Sequence, residues 1–115
     1  MPRDQVSYLN DMMDAGKAIL KFTEGMDQED YLASELTRAA VERKFTIIGE
    51  ALNQLLRLHP ELRGKIREEK NVVAFRNRVI HGHFAVDELL VWSAIKSDLP
   101  TLMSDVAGML GELEN

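Results

Sequence analysis

A chain of 115 residues, 45% of them hydrophobic, holds enough apolar material for one ordinary domain, and the absence of cysteine excludes disulfide frameworks and thiolate metal sites. A formal net charge of −5 argues against a protein that coats nucleic acid without specificity, because such binding neutralises many phosphates at once. No run approaches the roughly 20 apolar residues needed to cross a bilayer, and Met1-Pro2-Arg3-Asp4 leads into mixed polar sequence; the expectation is one cytoplasmic domain over 1–115 with no membrane association.

Val6, Leu9, Met13, Gly16 and Leu20 follow one another at three- and four-residue steps and predict a first helix, which Gly25 is placed to stop. A second start lies near Asp27. From Leu32 the apolar positions Leu36, Ala40, Phe45, Ile48, Leu52, Leu55 and Leu56 keep helical rhythm up to Pro60, so this is the longest predicted helix. Pro60 ends it because proline lacks an N–H and disfavours helical geometry at His59. A turn-rich stretch from Glu61 to Lys70 leads to a third helix bearing Val72, Val73, Phe75, Val79 and Ile80, with His81 in its last turn and Gly82 as the left-handed residue beyond. Asp87 is placed to cap a fourth, with Leu89, Leu90, Trp92 and Ile95 facing inward, and Pro100 to open a fifth carrying Leu102, Met103, Val106 and Leu110. Strand alternation is weak and hairpin turns are absent, so the fold class is all-α, an antiparallel bundle of about five helices. The six methionines read as core filler.

Charge is not spread evenly. From Arg63 to His83 the chain carries Arg63, Lys65, Arg67, Lys70, Arg76 and Arg78 against Glu68 and Glu69, six minus two, or +4 in an acidic protein. Either this is a solvated helix face or it faces phosphate. The segment Phe75-Arg76-Asn77-Arg78-Val79-Ile80-His81-Gly82-His83-Phe84 adds chemistry to the charge. RNA is cut without metal when a base takes the proton of the 2′-hydroxyl and a cation stabilises the phosphoryl oxygens. His81 suits the first role, since imidazole titrates nearest neutrality, and Arg76 the second, since guanidinium matches phosphate with a planar fork. Asn77 shares a face with His81 at i,i+4 and can orient the ring or bind a phosphate oxygen. Arg76 and His81 stand about 140° apart on an ideal helix, so both border one cleft only if it is wide or a second subunit completes it. The competing explanation is structural, with His81 at terminal carbonyls and Arg76 in surface ion pairs. A metal bound by His81 and His83 would need a third ligand, and His59 has no recognisable spacing to them, so no metal or other cofactor is expected.

These residues resemble the HepT-like branch of the HEPN superfamily. Ala40-Val41-Glu42-Arg43 followed by Ile47-Ile48-Gly49-Glu50-Ala51 is similar to the family's central helix, and Arg76-Asn77-Arg78-Val79-Ile80-His81-Gly82 matches its Arg-x4-His signature. Val86-Asp87 and Asp98-Leu99-Pro100 fit the pattern that follows. The resemblance implies a helical homodimer with composite clefts, a metal-independent endoribonuclease acting on RNA, and a role as the toxin of a toxin–antitoxin pair. The partner would be a minimal nucleotidyltransferase antitoxin on a separate chain. It implies Arg76 and His81 as catalytic, Asn77 and Arg78 as supporting, and Glu50 as a supporting carboxylate behind them. Gly49 and Glu50 also admit a packing role in which two helix backbones approach closely. Two residues after the histidine the family commonly has a tyrosine that accepts AMP from the antitoxin, whereas this chain has His83, which would contact phosphate, assist proton transfer or fill the space of a ring. The alternative function is a noncatalytic HEPN module that binds nucleotides or supports a nucleotidyltransferase.

Overall fold

In the computed structural model the described residues are 4–81 and 87–114, with 79–81 and 114 described by backbone alone. Helix α1 (Gln5–Phe22) begins where the Asp4 carboxylate accepts from the Ser7 N–H at 2.9 Å, and it stops at Thr23, after which Gly25 turns the chain with φ +76°. Helix α2 (Gln28–Ala33) opens on a capping box in which Asp27 and Asp30 each accept from the other's backbone N–H. The long second helix expected from the apolar rhythm is interrupted here. Ser34 leaves helical geometry, its hydroxyl accepts from the Thr37 N–H, and the chain restarts as α3 (Glu35–Leu58). Leu36, expected in the buried row, is 82% exposed because it lies in the first turn of this restarted helix.

Pro60 ends α3 as expected and opens a 3₁₀ turn (Pro60–Leu62), and Gly64, at φ +86°, bends the chain toward α4 (Glu69–His81). The predicted left-handed Gly82 lies outside the described residues. Asp87 caps α5 (Glu88–Ser93), its Oδ1 accepting from the N–H groups of Leu89 and Leu90. The break expected at Pro100 does not occur. Helix α5 runs through a π turn (Ala94–Asp98), in which the Leu99 N–H reaches back five residues to the Ala94 carbonyl, straight into α6 (Leu99–Glu114). A proline ring crowds the carbonyl four residues before it, and the wider turn directly ahead of Pro100 relieves that crowding. The hydroxyls of Ser97 and Thr101 donate to the Ser93 and Ser97 carbonyls in the same stretch. Five continuous helical segments result among the described residues, divided at Ser34 rather than at Pro100.

Helix α3 is central, with α1 and α4 packed on it and α6 against α1. Leu9, Met12, Ile19, Ile48, Leu52, Leu55, Ile95, Leu99 and Val106 are fully buried, each worth roughly 1.5–3 kcal/mol of transfer free energy. On α1 the buried row is Leu9, Met12, Gly16 and Ile19, slightly rotated from the expected one, so that Leu20 faces outward. On α5 Val91 and Trp92 turn inward, while Leu89 and Leu90, expected inside, are 52% and 60% exposed. Met12 and Met109 are buried, and Met13, Met26 and Met103 pack on the core as expected of filler.

Candidate active site

Helix α4 is positioned by its crossing with α3. A Cβ on Gly49 would overlap the Cβ of Arg76 and come within 3.1 Å of its Cγ and 3.2 Å of the Val72 carbonyl oxygen. Only glycine allows this approach, which outweighs the roughly 1 kcal/mol that glycine costs inside a helix. The packing role of Gly49 is therefore the one the structure shows. The stem of Arg76 fills the crossing, and its guanidinium turns along α4, where Nη1 donates to Asn77 Oδ1 at 2.9 Å. Its Nε is buried and has no acceptor among the described residues. Arg76 makes no ion pair among the described residues.

The backbone of α4 places Asn77 and His81 on one row at i,i+4, and Lys70 and Ala74 continue that row toward the helix start. Arg78 flanks it. Lys70, Ala74 and Arg78 are exposed and Asn77 is half-buried, so the row is open along most of its length. The bond of the Arg76 guanidinium to Asn77 brings its charge to this row.

Not every candidate converges. His83 lies outside the described residues, and His81 is placed by backbone only. Glu50 is half-buried beside Gly49 and makes no hydrogen bond or ion pair among the described residues. His59 ends α3 with Gln5 Nε2 at 3.3 Å and Glu61 at 3.4 Å from its Nδ1. Of the basic run, Arg67 is held by Asp105 on α6 through Nε at 3.2 Å, Nη2 at 2.9 Å and its backbone N–H at 3.0 Å, which keeps the Asp105 carboxyl below the usual range.

A second polar cluster escaped the sequence analysis. Tyr31 on α2 is fully buried, stacks at 5.4 Å on Trp92, and donates its hydroxyl to Glu88 Oε2 at 2.8 Å. Burial first, then the bond to Glu88, pushes the Tyr31 phenol upward. Glu42 on α3 neighbours the same Glu88; burial first, then its interaction with Glu88, pushes the Glu42 carboxyl up to about 7 against the opposing pull of Arg38. The cluster ties the start of α5, just beyond the segment that follows His81, to α2 and α3. Its one visible signal in sequence is a glutamate, Glu42, directly after the buried Val41.

The profile of the HepT-like ribonucleases matches residues 12–107, from α1 through α6, and includes both the Gly49 crossing and the Arg76–His81 segment. The chain belongs to the HepT-like ribonuclease family. Among curated relatives of this family, it is 36% identical over 106 residues to a Thermococcus cleftensis protein named "Probable ribonuclease HepT", covering 89% of this chain and 92% of that one. A Methanocaldococcus jannaschii protein provisionally named an RNase is 30% identical over 106 residues, covering 90% of this chain and 94% of the relative. No solved structure matches the chain. Among the described residues, no helix of this HepT-like chain is long and apolar enough to cross a membrane.

Proposed function

We propose that this HepT-like chain is a metal-independent endoribonuclease whose reacting groups are His81 and Arg76. The observation that carries the proposal is the buried, unaccepted Nε of Arg76 beside the row on which α4 places Asn77 and His81. A buried guanidinium N–H without an acceptor is costly, and a phosphate that draws the guanidinium out toward the open row supplies the missing partner. In this mechanism His81 takes the proton of a 2′-hydroxyl, the 2′-oxygen bonds to the adjacent phosphorus, and the P–O5′ bond breaks. The products are a 2′,3′-cyclic phosphate and a 5′-hydroxyl end, the latter receiving a proton. Arg76 stabilises the charge on the phosphoryl oxygens. Asn77 positions the scissile phosphate and Arg78 the strand beside it, with His83 and Glu50 as further supporting groups.

The same reading makes the active species a homodimer, because a domain of 13.0 kDa offers a narrow cleft and a second copy widens it. It also makes the chain the toxin of a pair whose antitoxin is a separate minimal nucleotidyltransferase. Purified protein is expected to cut single-stranded RNA in excess chelator, and His81→Ala to lower the rate by about 10²–10⁴-fold with the fold intact. Unchanged cleavage by His81→Ala would overturn the mechanism; binding of RNA without cleavage by the wild type would favour a noncatalytic module.

A further inference from the structure

Between α4 and the α5–α6 rod lies a cavity of about 580 Å³ that the cleavage mechanism leaves unused. It exists because α4 packs on α3 rather than on the rod, with Phe75 meeting Phe45 edge-on at 5.5 Å. Its walls are apolar, Val72 and Phe75 on the α4 side and the exposed Leu90 on the other. Its polar groups are few: Arg78 and Asn71 from α4, and Asp87, Ser93 and Asp98 from the other side. Arg78 lines the cavity and also stands three residues before His81, which makes the two neighbours on the surface of α4. The cavity therefore opens next to the row where the scissile phosphate lies. A slot of this volume with apolar walls and a few convergent polar groups suits a flat ligand with a polar edge.

We infer that the groove is a nucleobase subsite for the RNA substrate, with Arg78 holding a phosphate that flanks the scissile one and the adjoining base set against Phe75. This inference rests on the ribonuclease reading of Arg76 and His81. Single-stranded RNA is recognised in this manner, by bases turned out onto aromatic side chains and bonded along their edges. Charge sets the preference. Asp87 Oδ1 accepts from the α5 backbone and Asp98 Oδ1 lies 3.3 Å from the Ser97 hydroxyl oxygen, and the Oδ2 of each has no partner among the described residues. Carboxylates only accept, so they favour bases whose edges donate. Guanine presents an imino N–H and an amino group side by side, adenine and cytosine present one amino group, and uracil presents a single N–H between two carbonyls. The groove selects guanine first and uracil last.

The test uses the full chain and a set of short single-stranded RNAs that differ only in the bases flanking one scissile bond. Wild-type protein is expected to cut the guanine-flanked RNA about tenfold faster than the uracil-flanked one, the discrimination of one well-placed bidentate contact. The double variant Asp87→Asn, Asp98→Asn keeps a capping side chain on α5 and is expected to lose that preference, the ratio of the guanine-flanked to the uracil-flanked rate falling from about tenfold to about one. Thermal unfolding confirms that the variant is folded, and Phe75→Leu, which keeps the apolar wall, is expected to raise KM for every RNA without lowering kcat. His81-dependent cleavage at equal rates for all four bases, or a preference retained by the double variant, overturns the groove and leaves the ribonuclease reading standing. Cleavage that survives His81→Ala overturns both. Conversion of a dimer to a monomer by Leu90→Glu would show that a second copy of the chain occupies the groove, and overturns it as well.

Discussion

Replacing Gly49 by alanine tests whether the α3–α4 crossing positions Arg76. Alanine is the better helix former by about 1 kcal/mol, so propensity alone predicts a more stable protein. The added Cβ, however, overlaps the Cβ of Arg76 and reaches 3.1 Å from its Cγ. Carbon atoms pack at about 3.5–4.0 Å, and a Cβ is fixed to the backbone, so α4 must move out by roughly 1 Å. Overpacking of this kind costs about 1–3 kcal/mol, leaving a net loss of roughly 0–2 kcal/mol after the gain in propensity. The effect on cleavage is expected to be larger, about 100-fold, because a displacement of 1 Å in a positioned group costs that much in rate. Gly16→Ala is the internal control. There the added Cβ meets Met103 Sδ at 2.8 Å, the far part of a flexible side chain that can swing away, so stability should change little and cleavage not at all. Urea unfolding followed by circular dichroism gives the stability, and single-turnover RNA cleavage gives the rate. A Gly49→Ala protein that is stabilised by about 1 kcal/mol and cuts RNA at the wild-type rate would refute the argument.

Because Glu42 is pushed up to about 7, above its unfolded value of 4.5, the folded chain holds a proton that the unfolded chain releases between those limits. That contribution to stability is complete below about pH 4.5 and is lost as pH rises through about 7, so the urea midpoint should fall between pH 5 and pH 8 and Glu42→Gln should flatten the slope; an unaltered slope in the variant would rule out Glu42 as its source. Light scattering should give twice the 13.0 kDa chain mass at micromolar concentration, and a monomer that cuts RNA at full rate would remove the composite site. Tyr8 and Tyr31 are 7% and 0% exposed, so incubation with ATP and a nucleotidyltransferase partner should leave the intact mass without a stable AMP addition; such an addition mapped to His83, with loss of cleavage, would contradict this.

The local alphabet was sufficient to determine several things about this chain. Asp27 with Asp30, Asp87, Gly25 and Pro60 act on the backbone within a turn of themselves, so the helix starts and stops they mark are where the sequence implies. The Arg-x4-His spacing is likewise local, and together with the Ile47-Ile48-Gly49-Glu50-Ala51 element it points to the family. Apolar rhythm was less reliable wherever a side-chain hydroxyl or a ring competed with it: Ser34 split the long helix by capping α3, and Pro100 was absorbed by a π turn where a break was expected. What only the tertiary structure decided are contacts between residues far apart in sequence. The overlap of Gly49 with Arg76, the bond of Tyr31 to Glu88 across 57 residues, and the cavity between Phe75 and Leu90 depend on the distance between packed helices. No periodicity along one chain encodes that distance, because it is set by the volumes of side chains on both helices at once.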